Sequence, residues 1–288
     1  MASTFLGLSH KGGTGRSVSL ANIGYWLASA GCDVCIVDLD LGSPTMGTVL
    51  KLDEALTAGR KEGKGVHSFL RSPPTRPGDV ESALVPIWGR DVPRPSDDAG
   101  SFCLLPGTRD GDISLDVDGI RKGLRRIFDD IGGRFDFILA DLRSGLSNVA
   151  LALTQEEFAQ DEVTWLFFYR WTPQHLVGLD DLAERVAKSY RPPDSARVGF
   201  VRTAFSDPKN YQGPLQRYVL KLNVELDKTE QRAQDRVEDA LVLGSVPHDH
   251  VLQWDERILD EEDERRGSKD TVDSFRSIAE VIRLRGGR

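Results

Sequence analysis

Three cysteines in 288 residues are too few for a disulfide framework, so stability has to come from a packed core. Two of them form a C-x-x-C, Cys32 and Cys35, but the stretch Asp33-Val-Cys-Ile-Val37 reads as a buried strand. Strand side chains alternate faces, so thiols three positions apart point to opposite sides and do not make a redox or metal pair. Cys103 reads as core. Long apolar runs are also missing, and nothing approaches the ~20 apolar residues of a membrane span. The opening Thr4-Phe-Leu-Gly-Leu8 is short and has no basic leader, so it is not read as a signal peptide and the expected location is cytoplasmic. Positive charge is in deficit: 37 Lys and Arg stand against 45 Asp and Glu, a net charge of −8. That balance argues against nucleic acid as the main partner.

What is present is a regular alternation of apolar runs and helical patterns. Residues 4–9 read as a short strand, followed by glycines at 12, 13 and 15. Helical spacing then places Leu20, Ile23, Leu27 and Ala28 on one face, and Gly31 is a stop signal. A second strand at 33–38 completes a strand–loop–helix–strand unit. Further strands are expected at 101–106, 135–141, 163–169, 197–201 and 240–246, with helices at 116–131, 173–190 and 270–285. Residues 53–100 read as long loops with one helix near 65–71. The alternation predicts an α/β fold, a mostly parallel twisted sheet with helices on both faces. One domain is expected over 1–288, with a charged helical insertion, an arm or hairpin, at about 207–239.

The loop His10-Lys-Gly-Gly-Thr-Gly-Arg-Ser17 has the chemistry of a phosphate site. Glycines let backbone N–H groups curl around an anion, and the helix N-terminus adds partial positive charge. A hydroxyl opening the helix suits magnesium, and a basic side chain neutralises phosphate. Against G-x-x-x-x-G-K-[ST], His10 replaces the first glycine and Arg16 replaces the lysine. A dinucleotide loop fits less well, because Val18 occupies its third glycine position.

Lys11-Gly-Gly-Thr-Gly-Arg-Ser17 resembles K-G-G-x-G-K-[ST], the deviant Walker A motif of the ParA/MinD family of ATPases. Ile36-Val-Asp-Leu-Asp-Leu-Gly-Ser-Pro44 resembles that family's second motif, Phe135-Asp-Phe-Ile-Leu-Ala-Asp141 its Walker B strand, and Ser245-Val-Pro-His-Asp249 its base-bordering segment. The resemblance spans roughly residues 4–250. It implies ATP and Mg2+ as cofactors. It implies that Lys11 reaches a dimer partner's nucleotide, while Gly12, Gly13, Thr14, Gly15 and Val18 build the cradle around the phosphates. Arg16 then stands where a lysine contacts the β/γ-phosphates, and Ser17, Asp38 and Asp141 stand at the metal. Asp40 orients the attacking water, while Arg202, Thr203, Val246 and Pro247 line the base.

Two departures bear on turnover. Arginine is a wide planar fork where lysine is a point charge, and Val18 replaces a second threonine seen in many relatives. The resemblance therefore implies an ATP-dependent homodimer with slow hydrolysis that positions or regulates a partner protein. The alternative is a hydrolysis-deficient scaffold subunit. Cluster-binding reductases and tyrosine autokinases of similar fold do not fit, since Cys103 lacks a suitable second cysteine and no tyrosine lies beyond Tyr218. Val272, Phe275, Ile278, Ala279 and Ile282 form an apolar stripe near Arg276, Arg283, Arg285 and Arg288. A membrane anchor is one reading of that stripe. A domain-closing helix is favoured, because the acidic run at 260–264 would repel anionic lipid.

Overall fold

A computed structural model describes residues 2–52, 65–72, 74–76, 78–89, 91–107, 116–154, 163–176, 178–189, 197–235 and 241–287. The first strand, β1 (Ser3–Leu8), is buried along its whole length. So are β2 (Val34–Leu39) and β5 (Phe137–Leu142), as apolar runs without a polar face require. With β3 (Val85–Pro86), β4 (Phe102–Leu105), β6 (Val163–Arg170), β7 (Arg197–Phe205) and β8 (Leu241–Pro247) they form one eight-stranded sheet. Its order is β3-β4-β2-β5-β1-β6-β7-β8. Every pairing is parallel except β3 with β4 at the edge. The expected α/β architecture is the observed one.

Side-chain alternation divides the core into two layers. Leu6, Leu8, Cys35, Val37, Ile138, Ala140, Trp165, Phe167, Val198 and Phe200 point to one side. Phe5, Val34, Ile36, Phe137, Leu139, Leu166, Phe168 and Val201 point to the other. Cys32 and Cys35 belong to opposite layers, so the C-x-x-C pair does not converge. Cys103 is half-buried rather than core, and it stands in register with Cys35 on the neighbouring strand. Burial pushes both thiols up.

Among the described residues the α-helices of four residues or more are α1 (Arg16–Ser29), α2 (Met46–Val49), α3 (Val66–Arg71), α4 (Val117–Ile131), α5 (Asn148–Leu153), α6 (Pro173–Leu176), α7 (Leu179–Ser189), α8 (Gly213–Gln234), α9 (His250–Trp254) and α10 (Lys269–Arg285). Asp116 opens α4 by accepting a hydrogen bond from the Gly119 N–H at 2.7 Å, a standard N-cap. The continuous helix expected at 173–190 is broken into α6 and α7. Gly178 lies between them at φ +80, with the His10 ring packed against it. The charged stretch at 207–239 is neither a projecting arm nor a hairpin where it is described. It is the single long helix α8, which links β7 to β8 and buries Val219, Leu226 and Ala233 on the side of α7.

Burial on α1 extends beyond the predicted face, because α10 covers its other side. The stripe of α10, Val272, Phe275, Ile278, Ala279 and Ile282, is buried between α1 and β8. Each large apolar side chain of that stripe contributes about 1.5–3 kcal/mol by leaving water. The Arg276 guanidinium stacks 4.4 Å over the Trp26 ring. The stripe is therefore core, and α10 closes the sheet as favoured from the sequence. No described helix is long and apolar enough to cross a membrane.

Candidate functional site

The C-terminal ends of β1, β2 and β5 meet at one edge of the sheet, which is where open α/β sheets bind ligands. Register pairs Gly7 with Asp141 and Asp38 with Asp141, so the three predicted motifs arrive side by side. Between β1 and α1 the loop turns through Gly13 at φ +73 and Gly15 at φ +72. That left-handed backbone is open to glycine and strained for other residues. Open space lies where a Cβ would project from Gly12, Gly13 or Gly15, and all three are exposed. Lys11 is exposed at the head of the loop.

Arg16 and Ser17 turn the other way, into the protein. Arg16 is 8% exposed, and its Nε donates to Asp141 Oδ1. Its Nη1 donates to Ser9 Oγ at 3.2 Å and its Nη2 to Asp40 Oδ2 at 3.5 Å. Ser17 Oγ donates to Asp141 Oδ2 at 2.6 Å. The structure thus joins Arg16, Ser17, Asp40 and Asp141 in one network. Asp38 stands beside them but is turned to the following loop. Its oxygens accept from the N–H groups of Asp40 and Met46, each at 3.2 Å. Burial, with Asp141 adding to it, pushes the Asp38 carboxyl well above the usual range. Burial also raises Asp40, against the opposing pull of Arg16.

Beyond the loop, Thr203 Oγ1 donates to the Thr14 carbonyl oxygen at 2.6 Å and lies 3.2 Å from that of Tyr169. A cavity of about 280 Å³ opens next to this contact. Gly13, Gly15, Val18, Thr203, Val246 and Pro247 line it. Arg202 does not. It shares strand parity with Phe200, so it points to the opposite layer from Thr203. There it pairs with Glu230 and stacks 4.4 Å over Trp171. Strand alternation thus turns Arg202 away from the cavity that Thr203 lines.

Several residues at this edge were not singled out from the sequence. Ser9 holds Arg16, Arg170 lines the cavity at the end of β6, and His175 lies under the loop. Burial lowers the His175 pKa, and the nearby cations Arg170, Lys11 and His10 reinforce that against its contact with the Gly12 backbone. Asp249, also on the cavity wall, caps α9 through the N–H groups of Val251 and Leu252. The strand–loop–helix order pointed to this edge, but not to a histidine on α6 reaching under it.

No protein-family model and no curated protein matches the sequence. Solved structures do match the fold. The septum site-determining protein MinD of Pyrococcus horikoshii, complexed with Mg-ADP, superposes at a TM-score of 0.65. It is 19% identical, over 98% of this chain and 96% of that one. The MinC:MinD complex of Aquifex aeolicus matches at 0.62, 16% identical over 98% and 96%. The pNOB8 ParA bound to nonspecific DNA matches at 0.63, 16% identical over the whole of both chains. This chain has the MinD/ParA P-loop ATPase fold. In that fold the glycine loop after β1 and the aspartate ends of β2 and β5 share one sheet edge here, in the order expected from the sequence.

Proposed function

We propose that the chain binds ATP with Mg2+ at this edge and works as a slow, dimerising ATPase switch that positions or regulates a partner protein. The observation that carries the reading is the continuity of an open glycine cradle with a cavity lined by Thr203, Val246 and Pro247. The first suits phosphates and the second suits a base. The residues present fit the two cofactors. Gly13 and Gly15 leave the cradle free of side chains, and Ser17 Oγ and Asp141 form a hydroxyl–carboxylate pair that would hold the metal. Magnesium, when bound, would neutralise charge on the phosphates. Asp40, raised by burial and held near Arg16, would orient the attacking water, and exposed Lys11 is free to reach a second copy.

The net charge does not decide the partner, because structures of this fold include complexes with MinC and with nonspecific DNA. Cytoplasmic location stays part of the proposal.

The reading is tested by Asp40→Ala. The variant should keep ATP affinity while phosphate release falls by about 10²–10³. Equal loss of binding and turnover would contradict the role given to Asp40. A second reading, a nucleotide-held scaffold with almost no turnover, is favoured by the engagement of Arg16 with Asp141. ATP held for hours by the wild type without phosphate release would support the scaffold over the switch.

A further inference from the structure

Each oxygen of Asp141 already accepts one hydrogen bond. Arg16 Nε donates to one and Ser17 Oγ, at 2.6 Å, donates to the other. Asp141 itself is fully buried. Its neighbour Asp38 accepts two backbone N–H groups and is turned away. Among the described residues no group of three or more His, Cys, Asp or Glu gathers to hold a metal. A divalent ion arriving here meets one hydroxyl and one carboxylate that a fixed cation already neutralises.

The identity of that cation matters. A lysine ammonium is a compact charge on a flexible stem and can swing between a carboxylate and a phosphate. The Arg16 guanidinium is a planar fork that spans Asp141, Ser9 and Asp40 at once. Withdrawing it would leave the buried carboxylate with the Ser17 hydroxyl and no countercharge, which is costly. The side chain is therefore committed to the position of the acids, while Lys11, Gly12, Gly13 and Gly15 are exposed.

The geometry points to Arg16 as a resident cation that takes over the charge-balancing role of magnesium at Asp141, so that this chain binds nucleotide without requiring a divalent ion. The inference rests on the nucleotide reading above. Charge bookkeeping supports it: with Arg16 in place, Asp141 carries no uncompensated charge that a metal must offset before phosphate approaches.

The test is equilibrium binding of ATP to the full chain, by calorimetry or with a fluorescent ATP analogue, in magnesium buffer and in EDTA. The wild type should change affinity by less than about threefold between the two buffers, and Arg16→Lys should lose about tenfold or more in EDTA. A wild-type loss of threefold or more overturns the inference, as does an Arg16→Lys protein that stays below tenfold. Should that variant not fold, the wild-type pair of measurements still decides. Failure to bind ATP in either buffer contradicts the nucleotide reading and this inference with it. Binding in magnesium alone leaves the nucleotide reading standing and removes only the role given to Arg16.

Discussion

The two ends of the candidate nucleotide site are built on different principles. At the acid end, Arg16, Ser17, Asp40, Asp141 and Ser9 satisfy one another through short polar contacts, and Arg16 and Asp141 are buried. At the other end, Val18, Val246 and Pro247 line open volume, Thr203 holds the Thr14 carbonyl, and Asp249 caps α9 while accepting from Thr271. The acid end is a network whose parts depend on one another, so losing one member exposes the rest. The cavity end is a shape, and changing it alters what fits without unsettling the fold. The contrast follows from position. The acid end sits over the middle of the sheet, where Arg16 and Asp141 are buried, whereas the cavity lies between β7, β8 and the segment after β8.

That difference can be broken or sharpened by substitution. The largest effect is expected at the acid end. Asp141→Asn leaves the buried Arg16 facing a neutral partner and should cost about 3–5 kcal/mol in urea unfolding, as for a broken buried pair. A loss within ~0.5 kcal/mol would show that the network is not coupled. At the cavity end Leu252 also lines the wall, and Leu252→Trp should fill volume and lower ATP affinity about tenfold or more, while inorganic triphosphate binds as to the wild type. Equal weakening of both ligands would mean that the two ends are not separable.

The smallest effect concerns Asp249. Burial alone would raise its pKa, but Thr271, Ser268 and the N–H groups of Val251 and Leu252 hold the carboxyl below its usual value. The folded value is depressed, so the contribution is present above the ordinary carboxylate range and is lost as pH falls through the folded value. Asp249→Asn should cost about 1 kcal/mol at neutral pH. Thermal melts of the two proteins should converge as the pH is lowered. A gap that stays constant with pH would contradict the account of this cap.

Much of the architecture was readable because the strands carry it openly. The runs around Phe5, Ile36, Leu139 and Phe167 have no polar face, and only a sheet covered on both sides accepts them. The aspartates ending β2 and β5 were readable for the same reason, since a strand end fixes where its last side chain goes. Direction within the site was not. Arg16 has the charge to meet a phosphate, and only the three acceptors behind it show that it turns inward. Arg202 points away from the cavity that Thr203 lines, a direction carried by the parity of Phe200 and Val201. Helix α8 looked like an arm because its charges are dense, and its buried Val219, Leu226 and Ala233 are spaced too widely to stand out. The short helices α2 and α9 carry too few residues for any period to register.

The most direct test of the whole account is a structure of the chain with ATP and magnesium. The account predicts phosphates against the N–H groups of Gly13 and Gly15, and the base in the cavity between Thr203 and Val246–Pro247. A nucleotide bound elsewhere, or a base turned away from that cavity, would contradict it.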